Sequence, residues 1–391
     1  MGIRKRVHKG KNEKKDIITV LVIVMISSLV MGTAGLNGEE GFMPVRSLQY
    51  ERAKVLEVRE EEVLEDPSID SVYSGFQELE VMILTGPFRG QETSVYNSIG
   101  RGHSIIAESG MNLIVSTMGR EGSLESIDIY QYERRWGIYV LAIILCIVLI
   151  LVGRKKGLMS ILSLLFTGML LFFFLVPNLL RGSQPVFIGI ITAVLSITVN
   201  FYFLNGWSKK TYAAILGTSL GLIVAGTMAY LAGTVGNISG IHTENADQLM
   251  LIADETGLQF RGLLFTTILI SAMGAVMDVG MSIASAAFEL DLQNPAMKKK
   301  ELITSSLNVG KDIIGTMTNT LILVFVGGML SSIIVSVAYG MPYHHFINSN
   351  LVAIEITQAL AGSIGLVLTV PITAFIAGHM AKAVRVAGNE E

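Results

Sequence analysis

From Trp136 onward the chain is a succession of long apolar runs broken by short polar turns, and that pattern closes off most folds. A run of about 18 apolar residues has the length of a helix that crosses a bilayer. In lipid the backbone N–H and C=O groups must be paired within the segment, so such runs are predicted as helices. They fall at 137–152, 158–179, 185–204, 211–234, 262–283, 313–337 and 351–377, with an earlier one at 17–34. Charged residues make up 16% of the chain, below the roughly 25% of soluble proteins. A mean hydropathy of +0.57 points the same way. The fold class expected is mainly α, a polytopic helical membrane bundle of about eight spans.

Residues 35–135 break this pattern. They are polar, and their apolar residues recur at strand-like intervals over Ala53–Arg59, Gln77–Thr85, Thr93–Ile99, Met111–Met118 and Ser126–Tyr132. Leu79, Val81 and Ile83 alternate with Glu78, Glu80 and Met82, as a half-buried strand requires. Glycine-rich turns separate the strands. A small all-β domain is expected between spans one and two, either a sandwich or an antiparallel barrel of OB-like type. The chain thus divides into a basic N-terminus and anchor (1–34), the strand-rich domain (35–135), a membrane domain of seven spans (136–380) and a tail (381–391). The order basic, apolar, small at 1–34 also fits a signal peptide cleaved after Gly32-Thr33-Ala34. The length of the apolar run favours an uncleaved anchor.

Basic residues set the orientation. With the N-terminus inside, the basic turns at 153–157, 205–210 and 298–300 and the tail all fall inside. The acidic segment 235–261 and the strand-rich domain then fall outside. Both termini are expected in the cytoplasm of a multi-pass protein, with about 35–135 exported. The last six spans divide into two triplets of opposite starting side, the plan of an inverted repeat.

A net charge of −3 gives nucleic acid no footing. The single Cys146 allows neither an intramolecular disulfide nor a cysteine zinc site. His344 and His345 are adjacent and point apart on a regular element. No Walker-type motif is present. No cofactor or metal is expected, and the chain is not expected to be an enzyme.

Polar residues inside the apolar runs carry the functional reading. Asp278, Ser282, Ser285 and Glu289 share one helical face within roughly 60°. Asp312, Thr316 and Asn319 share another, extended by Thr320. In the last span Glu355, Gln358, Gly362 and Thr369 align, and Pro371 is expected to kink the helix. A carboxylate at the bilayer centre costs about 2.5–3.5 kcal/mol, so such groups face a partner, the bundle interior or water. The reading against this one makes the acids interfacial caps and the Ser and Thr residues helix-packing groups.

These same residues carry a resemblance. The runs Gly274–Ala286, Gly310–Leu323 and Gly362-Ser363-Ile364-Gly365 to Pro371 resemble the signature of the YibE/F-like membrane proteins. The resemblance covers about Arg261 to Gly378, spans two to five resemble the family in layout only, and the presence of a domain before span two is similar to the longer, YibE-type member. It implies a bacterial cell-membrane protein whose relatives look like transporters, and it supplies no catalytic residues.

The function expected is a permease for a cation or a proton-coupled small solute. Its path is lined by Asp278, Ser282, Ser285, Glu289, Asp312, Thr316, Asn319, Thr320, Glu355, Gln358 and Thr369. Expected partners are the lipid bilayer, the transported solute and a related membrane protein or a second copy. The alternative is a non-transporting scaffold whose exported domain recruits a partner. An intramembrane aspartyl enzyme ranks last, because the sequence around Asp278 and Asp312 lacks a glycine-aspartate context.

Overall fold

The computed structural model describes residues 48–388 except 68, 70–71, 101–103, 121–122, 239–245 and 261. The expected anchor at 17–34 and its cleavage alternative lie outside the described residues. The chain forms two compact units, Met43–Val148 and a second that includes Leu149–Glu391.

The first unit carries five strands: β1 Leu48–Glu65, β2 Tyr73–Ile83, β3 Glu92–Ile99, β4 Asn112–Arg120 and β5 Ser123–Tyr132. All pairings are antiparallel and the sheet order is β3-β2-β1-β4-β5. The outer strands β3 and β5 approach one another, which curls the sheet toward a barrel. That order, with the long central β1 shared between β2 and β4, is the connectivity of an OB-like barrel. Register irregularities between Val55 and Glu57 and between Val58 and Glu60 lie in β1 where it has to bend. Alternate residues fill the interior: Ala53, Val55, Leu79, Val81, Val95, Leu113 and Val115.

One polar pair sits in this apolar interior. Gln77 donates to the Ala107 carbonyl at 3.0 Å and accepts from the Ala107 amide at 2.9 Å. Asn97 donates to Gln77 Oε1 at 3.1 Å and to the Ile105 carbonyl at 2.7 Å. The Tyr132 hydroxyl accepts from the Ile106 amide at 2.7 Å. These bonds hold the irregular segment 104–107 across the barrel and satisfy backbone groups that have no strand partner.

The helices follow as α1 Arg135–Leu170, a π-helical turn Leu171–Leu175, α2 Val176–Leu180, α3 Pro185–Asn205, α4 Lys209–Val235, α5 Ala246–Thr256, α6 Leu263–Gln293, α7 Lys299–Gly328, α8 Leu330–Ala338, α9 Tyr343–Ile347 and α10 Asn350–Gly388. Among the described residues six helical stretches are long and apolar enough to cross a membrane, the first being Arg135–Leu180. That stretch is interrupted at Arg154, whose φ of 47 and ψ of −123 are not helical. A Cβ on Gly157 would lie 1.8 Å from the Leu149 carbonyl oxygen. Residues eight apart touch only where the chain turns sharply. The first stretch therefore holds two of the expected runs, joined at the basic turn.

The core of the second unit is the packing of α4, α6 and α10, with α7 and α3 against them. Glycine makes the α4–α10 contact close. Cβ atoms on Gly217 and Gly221 would lie 2.1 and 1.7 Å from the hydroxyls of Thr373 and Thr369, and one on Gly365 would lie 2.3 Å from Ala225 Cβ. Two boundaries differ from expectation. α6 runs on to Gln293, beyond the expected span end at 283, and α7 starts at Lys299, before the expected span start at 313. Ala284, Ala287 and Leu302 are fully buried, and Lys382 bridges Asp291 at 2.6 Å, which gives the extension tertiary support. α10 runs through Pro371 as one helix, so the proline does not divide it.

Candidate functional site

α6 and α7 form an antiparallel hairpin closed by residues 294–298, and two glycines fix its register. A Cβ on Gly310 of α7 would touch Ile283 of α6, and one on Gly362 of α10 would touch both Ala272 of α6 and Leu321 of α7. Residue 283 is thus level with 310, and 272 with 321. Asp278 is then level with Gly315, Asp312 with Met281, and Asn319 with Gly274. The two aspartates differ in depth by three residues, about 4.5 Å. The two polar stripes overlap in depth only at Asp278 and Asp312: from there the α6 stripe continues toward the hairpin turn and the α7 stripe away from it.

The stripes face away from the core. Ala272 on α6, and Gly310 and Leu321 on α7, point toward α10 or into the contact between the two helices. Asp278 and Thr316 lie roughly 120–140° around their helices from those contacts. Asp278, Ser282, Glu289, Asp312, Thr316, Asn319 and Thr320 are all exposed, and Ser285 is half-buried. The hydroxyls of Thr316 and Thr320 donate to the carbonyls of Ile313 and Thr316 at 3.0 and 2.9 Å, so they return to their own helix. Glu289 accepts from Gln293 at 3.2 Å. Among the described residues Asp278 and Asp312 have no hydrogen-bond or ion-pair partner. Ser285 and Glu289 also line a cleft of about 850 Å³ with Ser208, Lys209, Lys210 and Asp291.

The residues of the last span lie elsewhere. α10 runs parallel to α6, because Gly362 and then Val370 pass Ala272 and then the Gly310–Ile283 level. Glu355 is seven residues above Gly362, and Asp278 is six below Ala272. The two carboxylates are therefore separated in depth by 13 residues, about 20 Å. Gln358 and Thr369 are buried at 4% and 0% exposure. Thr369 donates to the Gly365 carbonyl at 2.7 Å and fills the space opposite Gly221, so it packs α10 on α4. Pro371 is exposed on α10. The structure brings Asp278 and Asp312 together and leaves Glu355 apart from them.

Two groups escaped the sequence reading. Lys311 precedes Asp312 on the exposed side of α7 and donates to Asn308 at 3.3 Å. Both lie just before the expected span at 313–337, and the reading took the acid without the cation beside it. Asn200 of α3 donates to Thr167 at 2.9 Å and to the Ser196 carbonyl at 2.8 Å, and it accepts from the Ser163 hydroxyl. A lone asparagine in the apolar run 185–204 was the available signal, since an unpaired amide in lipid is costly.

Comparison with known proteins gives one match. The family model described as YibE/F-like protein matches residues 141–383, more than half of the chain. No curated protein and no solved structure matches it.

Proposed function

From the premise that the chain belongs to the YibE/F-like family, we propose that it is a membrane permease in which the exposed faces of α6 and α7 guide a cation or a proton-coupled small solute. The observation that carries this reading is the pair Asp278 and Asp312. They lie within one helical turn of depth, on the same open side of a hairpin in an apolar bundle, with no partner among the described residues. Carboxylates kept in such helices imply water, an ion or protein against them. Ser282, Thr316, Asn319 and Thr320 extend the polar track on either side. Ser285 and Glu289 carry it to the cleft bearing Lys209 and Lys210. In this reading that end is cytoplasmic, because Lys209, Lys210 and Lys298–Lys300 gather there. Glu355 stands near the other end of α10 as a separate acidic group.

The test is cation or proton flux into proteoliposomes. Asp278→Asn and Asp312→Asn are each expected to lower flux at least tenfold with insertion unchanged. Wild-type flux in both variants would sink the proposal. One observation favours a scaffold as the second reading: the polar track is open on the surface of the chain. A scaffold would tolerate both changes and lose its function when residues 48–132 are removed.

A further inference from the structure

The open face of α7 has a feature that solute transport does not need. Only 17% of its apolar window is buried, against 56% for α6, and the uncovered part is polar where lipid would favour apolar side chains. Asn308, Gly315 and Asn319 fall within roughly 40° of one line along this face. A Cβ on Gly315 would meet nothing within 4 Å. Lys311 lies about 60° to one side of that line and Asp312 about 40° to the other, at nearly the same height. Among the described residues Lys311 reaches only the Asn308 amide oxygen, and Asp312 reaches no cation.

A two-fold axis along the membrane normal would turn this arrangement into its own complement. In such a pair the helices run parallel, and a residue on one flank of the line meets the opposite flank of the other copy at the same height. Each Lys311 then stands beside the other copy's Asp312, on both sides of the contact. The Asn319 amides meet across the line, and Gly315 lets the two backbones approach. The chain's own first apolar run, Ile17–Ala34, contains no charged residue to pair with Asp312. We propose that the Asn308–Gly315–Asn319 face of α7 is the contact between two copies of this chain, closed by two reciprocal Lys311–Asp312 ion pairs. The contact shares Asp312 and Asn319 with the permease reading, and Lys311, which only the contact uses, tells the two apart.

The experiment is disulfide cross-linking of the full chain in native membranes, in a Cys146→Ser background. Asn308→Cys and Asn319→Cys are expected to give a product of twice the chain mass. Val324→Cys, exposed on the opposite side of the same helix, is expected to give at least fivefold less. In the Asn319→Cys chain, Lys311→Asp or Asp312→Lys alone should cut the product severalfold, and the two together should restore it. If the reversals fail to insert, Lys311→Gln, which removes charge without adding the opposite one, gives the same comparison. The inference is overturned if the 308 and 319 positions cross-link no better than 324. It is also overturned if the product has another mass, which would mean a different protein covers the face, or if the yield ignores the charges because the side chains reach headgroups instead. Loss of flux with cross-linking intact, or the reverse, separates this inference from the permease reading.

Discussion

Thr369 and Gly221 show how a single residue decides a helix pair in this protein. The hydroxyl of Thr369 occupies the volume that any side chain at position 221 would need. Gly221→Val is expected to cost about 1–3 kcal/mol or more through overpacking. It should show as a clear drop in the melting temperature of the detergent-solubilised chain. Gly315→Ala, on the open face, should leave the melting temperature of the monomeric chain unchanged. Gln77 plays the corresponding part in the strand unit, where its amide holds segment 104–107 by both ends. Gln77→Leu would leave buried backbone groups unpaired at about 1–3 kcal/mol. Hydrogen exchange at residues 104–107 should accelerate by one to two orders of magnitude, while β4 amides remain protected. Neither role is written in the local sequence: a glutamine in a strand and a threonine in an apolar run acquire their partners only on folding.

At the scale of elements, the α6–α7 hairpin was legible in part. Its two polar stripes follow from spacing alone, because a 3.6-residue period places Asp278 with Ser282 and Asp312 with Thr316. Its length does not. Residues 284–293 and 299–311 lie outside the expected apolar runs, yet they are helical because Ala284, Ala287 and Leu302 find apolar neighbours and Asp291 finds Lys382, 91 positions away. The side chains of that pair are 9% and 18% exposed. Removing one partner strands the other charge. Lys382→Met is therefore expected to destabilise the solubilised chain more than Lys299→Met does. Asp291→Asn added to Lys382→Met should recover part of the loss, as read by thermal unfolding. The last span went the other way. Its aligned Gln358 and Thr369 read as a path, and folding turned them inward as packing.

At the scale of the whole molecule, the two units differ in what identifies them. The family match spans 141–383 and so falls almost wholly in the helical unit. The strands at 48–132 lie outside it. A permease confined to the helical unit is expected to retain flux when residues 48–132 are deleted, and proteoliposomes of the deleted chain check this. The charge pattern predicts that a membrane-impermeant thiol reagent applied outside intact cells labels Thr93→Cys and spares Lys299→Cys. The reverse result would invert the topology.

What the sequence determined by itself was the class of the molecule. Apolar runs of membrane-crossing length and period-two strands leave little choice, because backbone hydrogen bonds must be met locally in lipid and alternation must match a half-buried sheet. It also placed carboxylates and hydroxyls on common helical faces. Only the tertiary structure decided which of those faces are covered. Coverage depends on neighbours distant in the chain: Gly221 against Thr369, Gly310 against Ile283, Gly362 between Ala272 and Leu321. Those contacts cover Thr369 of α10 and leave Asp278, Lys311 and Asp312 open. A periodicity gives direction around one helix, and only packing says what lies in that direction.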